Sequence, residues 1–294
     1  MISWSAMRAI GAVLTLLLGL GACAAPSDPA KPIDQIFPDP ALAACVAMAA
    51  GAPVTHTADL GELTQLHCDG LDAADHIHSL DGVEQLTALN VLDAPRNEIS
   101  DLTPLHGLSH LNTLTLTDNQ VTDLAPLEGL QLFDLGLSNN PISDLSPLEH
   151  TNTLNALGVA AARVTDIAPL ADHDGLRTLD LSSNAITDVS PLAGLPALDT
   201  LRLSRNQITD PAPLGTIPTL LILDVWGNQI SDVHGLAQAQ LLQELQLGAN
   251  PLTDLTPLLQ VHTLVNLGLD DTDTTHVTGI EELRAAGVSV NGLA

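Results

Sequence analysis

The 294-residue chain is predicted to fold as an α/β solenoid, and three observations predict it. A unit exemplified by Leu176 to Ala197, LRTLDLSSNAITDVSPLAGLPA, recurs before and after itself at a nearly constant period of 22 residues. Each unit carries an apolar pair of period two, L-x-L in most copies, which reads as a short strand with both apolar residues on one side. The apolar positions of one unit cannot be buried within it, so only stacking of successive coils makes a core.

Aligned on their first leucine, the copies begin at Leu89, Leu111, Leu132, Leu154, Leu176, Leu198, Leu220, Leu242 and Leu264, and only the step from Leu111 to Leu132 is one residue short. In the unit at Leu176 the recurring apolar residues are Leu179, Leu181, Ile186, Val189 and Leu192. Thr178, Asp180 and Ser182 alternate with the leucines and are expected on the solvent side. Strands of successive coils then pair in parallel along the concave face, while the T-D-L-x-P-L half turns back over the other. This is the leucine-rich repeat pattern.

Two polar columns accompany it. Asn97, Asn119, Asn140, Asn184, Asn206, Asn228 and Asn250 stand where the chain leaves the strand, where their amides can satisfy buried backbone groups of neighbouring coils. Ala162 and Thr272 break this column, so the coil at Leu154 is expected to be a weak seam unless water replaces the amide. Asp101, Asp123, Asp144, Asp166, Asp188, Asp210, Asp232 and Asp254 follow Ser or Thr and usually precede Pro by three residues. They, or the hydroxyls before them, can cap the short helical turn that follows, in which Pro fits early because its missing N–H costs nothing there. A calcium-binding Asp ladder is the alternative, but nothing else in the unit supplies the clustered oxygens of a calcium site.

The formal charge of −27 is spread along the coils. It argues against nucleic acid or an anionic lipid surface as a partner and favours a cationic or polar one. Trp4, Phe37, Phe133 and Trp226 are the only aromatic residues. The repeat leaves no room for a second domain after Leu63.

Residues 1–22 carry a basic Arg8, an apolar run from Ala9 through Leu20 too short to span a bilayer comfortably, and small residues at the end. They read as an export signal. Leu20-Gly21-Ala22-Cys23 resembles the lipobox of bacterial lipoproteins, which implies that Cys23 becomes the acylated N-terminus and the membrane anchor; more than one acyl chain binds beyond the marginal hold of a single one. An ordinary secretory peptide or an uncleaved apolar helix is the alternative. Ala24 stands where such lipoproteins carry Asp for inner-membrane retention, so the resemblance points to the outer membrane of a two-membrane envelope. Residues 23–35 include the Pro-rich AAPSDPAK and read as a tether.

Residues 36–62 are expected to form a helical cap over the open end of the solenoid, with a helix from Asp39 or Pro40 through Ala50 and Gly51 as its stop. The run I-F-P-D-P-A-L-A from Ile36, T-x-D-L from Thr57 to Leu60, and repeats ending I-T/S-D-L-x-P-L together resemble the internalin family of bacterial surface proteins, over Ile33 to about Leu283. The resemblance implies a curved leucine-rich repeat solenoid that binds extracellular ligands on its concave face, without catalysis. The chain departs from the family in showing no strand-rich domain after the repeats and in an anchor that is N-terminal lipid rather than a C-terminal cell-wall signal. The solenoid is assigned to 63–285, with an irregular first coil, and 286–294 to a closing strand centred on Val288 to Val290.

Candidate chemistry is thin. No Ser, Cys or His stands in a nucleophile motif, and no Gly-rich phosphate loop or HExxH occurs, so neither catalytic residues nor a cofactor are assigned. His67, His76 and His78 lie close in sequence but lack the thiolate or spaced partner of a zinc site and read as loop histidines. With Cys23 lipidated, Cys45 on the cap helix and Cys68 on the strand beneath it remain, and in an exported protein they are a disulfide candidate, the alternative being two buried thiols. The outward strand positions are mostly small and polar. The exception brings together Arg202, Arg205, Ile222, Asp224 and Trp226, with Gln246 beside them; Trp226 is the only tryptophan left once the signal is removed. Trp and Arg dominate many interfaces, so this patch is the expected ligand site for an extracellular or periplasmic protein or glycan, a sugar ring stacking on Trp226 being one mode. The competing reading is that Trp226 merely packs on a neighbouring strand. At the level of the whole chain the alternative is a scaffolding envelope lipoprotein with no concave-face ligand. An intracellular regulator of the same repeat class requires the signal reading to be wrong.

Overall fold

The computed structural model describes residues 33–51, 60–71 and 75–293. The expected signal peptide, the lipidation at Cys23 and most of the tether lie outside the described residues.

Along the solenoid the chain forms one three-residue strand per coil: β1 (Gln65–His67), β2 (Val91–Asp93), β3 (Thr113–Thr115), β4 (Asp134–Gly136), β5 (Ala156–Gly158), β6 (Thr178–Asp180), β7 (Thr200–Arg202), β8 (Ile222–Asp224), β9 (Glu244–Gln246), β10 (Asn266–Gly268) and β11 (Ser289–Asn291). They make a single 11-stranded sheet in sequence order, entirely parallel, in which each residue faces its equivalent in the next coil, as Leu179 faces Leu201. The fold is the leucine-rich repeat solenoid, with the sheet on the concave face. Burial follows the repeat: Leu176, Leu179, Leu181, Ile186, Val189 and Leu192 are all at most 1% exposed, and each such leucine contributes roughly 1.5–3 kcal/mol by leaving water. The shortened step before Leu132 falls in the turn ahead of the strand, so Leu114 still pairs with Leu135.

On leaving each strand the chain turns through a left-handed residue: Arg96, Asp118, Asn139, Ala161, Ser183, Arg205, Ala249 and Asp271 have φ of 52–60°, and Gly227 takes the same place at 68°. The Asn column then closes the turn. Asn206 Oδ1 accepts the Ile186 N–H at 3.0 Å, and its Nδ2 donates to the carbonyls of Leu181 and Leu203, both at 3.0 Å. The expected weak seam at Ala162 has another remedy than water. The amide left without an Asn acceptor is that of Ile142, and it donates instead to Asn140 O at 2.8 Å across Pro141. At the second break, Thr272, Leu252 N–H donates to Asn250 O at 2.9 Å across Pro251 in the same way. Proline fixes φ near the value an inverse γ-turn needs, and Asn-Pro occurs in the two coils that precede the gaps.

The Asp column is spent on the backbone. Asp188 Oδ1 accepts the Ser190 N–H at 2.8 Å, and Asp101, Asp123, Asp144, Asp166, Asp210, Asp232 and Asp254 each accept from the residue two ahead. The aspartate thus sits one residue before the helix cap position, which Val189 occupies in this coil. The 3-10 turns it starts, such as Ser190–Leu192, carry Pro second in most coils.

At the N-terminal end α1 (Ile33–Ile36) and α2 (Pro40–Ala50) cover the first coil. Helix therefore begins inside the segment assigned to the tether, because Ile36 and Phe37 are buried against the first coil. Asp39 caps α2 by accepting from Ala41 and Leu42, and its second oxygen accepts from His78 and Ser79 of the first coil. Burial raises its pKa, but these backbone donors outweigh that and hold the carboxyl below its usual value. Gly51 ends α2 at φ 66°. Cys45 of α2 and Cys68 after β1 are joined, with 5.7 Å between their Cα atoms. At the far end α3 (Ile280–Ala285) leads into β11, which pairs with β10 one residue later than the Val288 to Val290 strand expected.

Candidate concave-face binding site

The strand face inherits its chemistry from the residues that alternate with the buried leucines. Over β4 and β5 these are Asp134, Gly136, Ala156 and Gly158, which offer a shallow trough and little to grip. The character changes across β6, β7 and β8, where strand register sets Asp180, Arg202 and Asp224 side by side.

Trp226 follows β8 and is half-buried. Its neighbours explain how the face holds an indole. On the C-terminal side stands Gly248, where an added Cβ would lie 2.7 Å from Trp226 Cδ1 and 2.1 Å from Asp270 O, so only glycine leaves room for the ring. On the N-terminal side the Arg205 guanidinium lies 5.0 Å from the ring centroid, a cation–π contact. Arg205 is also the left-handed residue of its coil, and its N–H donates to Trp226 O at 2.8 Å. Trp226 thus both packs on the next strand and presents a surface.

Beside the ring is an open hollow of ≈ 350 Å³ lined by Ser183, Ser204, Arg205, Asp224 and Trp226. Asp224 Oδ1 accepts the Trp226 N–H at 3.0 Å. Burial pushes the Asp224 carboxyl above its usual pKa, helped by the charge of Asp180, against the opposing pull of that N–H and of Arg202. Of the residues predicted from sequence, Trp226, Arg205 and Asp224 line this hollow. Arg202 and Ile222 lie on the same face but do not line it, and Gln246 leans the other way, over Gly268. Ser183 and Ser204 complete the lining; Ser183 was not singled out because its left-handed backbone, not the strand alternation, brings it there.

The histidines that lie close in sequence meet different partners: His67 faces Asp93 at 3.4 Å, His76 bonds to Arg96 O at 3.1 Å, and His78 lies 3.3 Å from Glu98. Among the described residues no helix is long and apolar enough to cross a membrane.

A family profile described as Leucine Rich repeats (2 copies) matches residues 174–216, the coils that lead into this patch. No curated protein matches the chain. Among solved structures, an internalin (inlF) of Listeria monocytogenes is 27% identical, with 90% of this chain and 98% of that one covered and a TM-score of 0.69. An internalin C2 (inlC2) of the same organism is 32% identical over 83% of this chain and 100% of that one, at a TM-score of 0.63. A leucine-rich repeat protein of Leptospira interrogans is 25% identical over 80% of this chain and 62% of that one, at a TM-score of 0.72. With its parallel ladder, its helical cap and these neighbours, the chain belongs to the leucine-rich repeat proteins and is internalin-like in structure.

Proposed function

We propose that the protein is a lipid-anchored binding protein of the bacterial cell envelope, held by Cys23 and engaging a protein or glycan through its concave face, without catalysis and without a cofactor. The observation that carries this reading is the hollow beside Trp226, where the strand face, elsewhere mostly small and polar, offers a rigid aromatic ring, a guanidinium and a carboxylate together. Trp and Arg recur as interface anchors because a large stiff ring loses little entropy and a guanidinium pairs in two places at once. The lipobox-like Leu20-Gly21-Ala22-Cys23 supports the anchor, and an outer-membrane position follows from Ala24.

The test is affinity capture from envelope extracts, followed by titration of the captured ligand against Trp226→Ala and Glu244→Ala variants of intact fold. Trp226→Ala should lose on the order of 2 kcal/mol of binding and Glu244→Ala little. Unchanged affinity at Trp226 removes this patch as the site. Failure to capture any ligand favours the scaffolding alternative.

A further inference from the structure

We propose that the hollow beside Trp226 receives a cationic side chain, a lysine or arginine projecting from a protein ligand, and that Asp224 is its counter-ion. This rests on the reading of the concave face as a binding surface and narrows it from protein or glycan to protein.

The charges of this face are unevenly paired. Of the six arginines among the described residues, Arg96 pairs with Asp69, Arg177 with Asp199 and Arg284 with Glu281, while Arg163, away from this face, forms no ion pair with a described residue. Arg205 is instead laid on the Trp226 ring, and Arg202, although in register between Asp180 and Asp224, forms an ion pair with neither. Asp180 and Asp224 are both half-buried, and of the row only Asp224 lines the hollow. One of its oxygens accepts the Trp226 N–H, and the other has no partner among the described residues. A carboxylate drawn part-way out of water with no direct ion pair is costly to keep charged, the more distant Arg202 offsetting this only in part, and a ligand that brings the cation recovers that cost. Such a charge-assisted bond is about twice as strong as a neutral one.

The rest of the lining agrees with that guest. Ser183 and Ser204 supply hydroxyl oxygens that accept from an ammonium or guanidinium, and the indole provides an apolar wall for the methylene stem. Arg205, held on the ring, is kept from satisfying Asp224 itself. Its presence also takes one face of the indole that a stacked sugar would use. The net charge of −27 adds long-range attraction for a basic partner.

The experiment follows the indole N–H resonance of Trp226 in the purified full chain, assigned by its disappearance in a Trp226→Phe variant. The probes are N-acetyl-arginine amide, N-acetyl-lysine amide, N-acetyl-citrulline amide, N-acetyl-glutamate amide and methyl β-glucoside. Saturable shifts are expected with the arginine or lysine probe, with a Kd on the order of millimolar, at least tenfold weaker for citrulline and tenfold weaker again for either cation in Asp224→Asn, which keeps the acceptor for the Trp226 N–H. Equal binding of citrulline, or no effect of Asp224→Asn, overturns the proposal. If the glucoside or the glutamate probe shifts the resonance and the cations do not, the patch remains a binding site and the cationic guest is wrong. If no probe shifts it, the cationic guest is likewise wrong, and the capture experiment with Trp226→Ala decides the patch separately.

Discussion

Ala161 holds a left-handed backbone, φ 52°, at a place where a glycine would be free of Cβ strain and where one coil, at Gly227, does use glycine. Left-handed geometry costs an L-residue about 1–2 kcal/mol, while glycine adds unfolded-state entropy. Ala161→Gly should therefore raise stability by roughly 0.5–1 kcal/mol in urea denaturation, and a loss would show that Cβ contacts outweigh the strain. His173 is a second residue out of keeping with its column, since it fills a buried position held by Leu130, Leu195 and Ile217 in other coils. Neither ring nitrogen has a well-formed hydrogen bond among the described residues, although the carbonyls of Leu148 and Leu170 lie near the ring. Burial lowers its pKa, outweighing the carbonyls of Leu148 and Leu170 and the charge of Asp172. The sign follows: below about pH 6.5 the unfolded chain binds a proton that the folded chain refuses, so this contribution to stability is complete above that pH and is lost as pH falls below it. His173→Leu should remove that part of the acid sensitivity, its advantage over the native protein growing as pH falls from 7 to 5. A constant offset between the two unfolding curves across that range would remove His173 from the account.

At the scale of elements, the N-terminal cap is where local bonds do the most. Asp39 starts α2 and at the same time binds the backbone of the first coil, and the Cys45–Cys68 link closes a separation of 23 residues between the same two pieces. Loop-closure entropy assigns such a link roughly 3 kcal/mol. Reduction, or a Cys45→Ala/Cys68→Ala pair, should lower stability by about that amount, and with the first coils losing hydrogen-exchange protection before the last. Uniform loss along the chain would mean that the cap does not unfold separately. The strands, the caps and both polar columns were legible in the sequence, because a repeat displays each position many times and averages away local accidents. The remedy at Ala162 was not, although Pro141 stood in plain view, since it depends on a residue one coil earlier than the gap it fills. The boundary at Ile33 was missed for a related reason: Ile36 and Phe37 are buried by the end coil, and nothing in their own neighbourhood announces that. The binding patch was half legible. Strand alternation identified Asp224 and Trp226, whereas Ser183 enters through a turn conformation, and Gln246 is drawn away by the space over Gly268.

For the whole molecule, each coil touches little beyond its two neighbours, so stability is a sum of coils and interfaces. The proposed lipid at Cys23 is tested at this scale. Cys23→Ser should abolish acyl labelling and membrane association, and the native protein should show by intact mass a chain that begins at a lipid-modified Cys23; an unmodified cysteine on an uncleaved chain would sink the anchor. The in-register parallel ladder has a further consequence for any extended polypeptide laid across it. Neighbouring strands lie about 4.8 Å apart, while the side chains on one side of an extended chain recur every ~6.8 Å. The two spacings work like the scales of a vernier and coincide again only after about seven coils. A straight ligand therefore cannot place successive side chains over equivalent positions of adjacent coils, and its grip must be concentrated where one or two coils depart from the pattern, as those bearing Arg205 and Trp226 do.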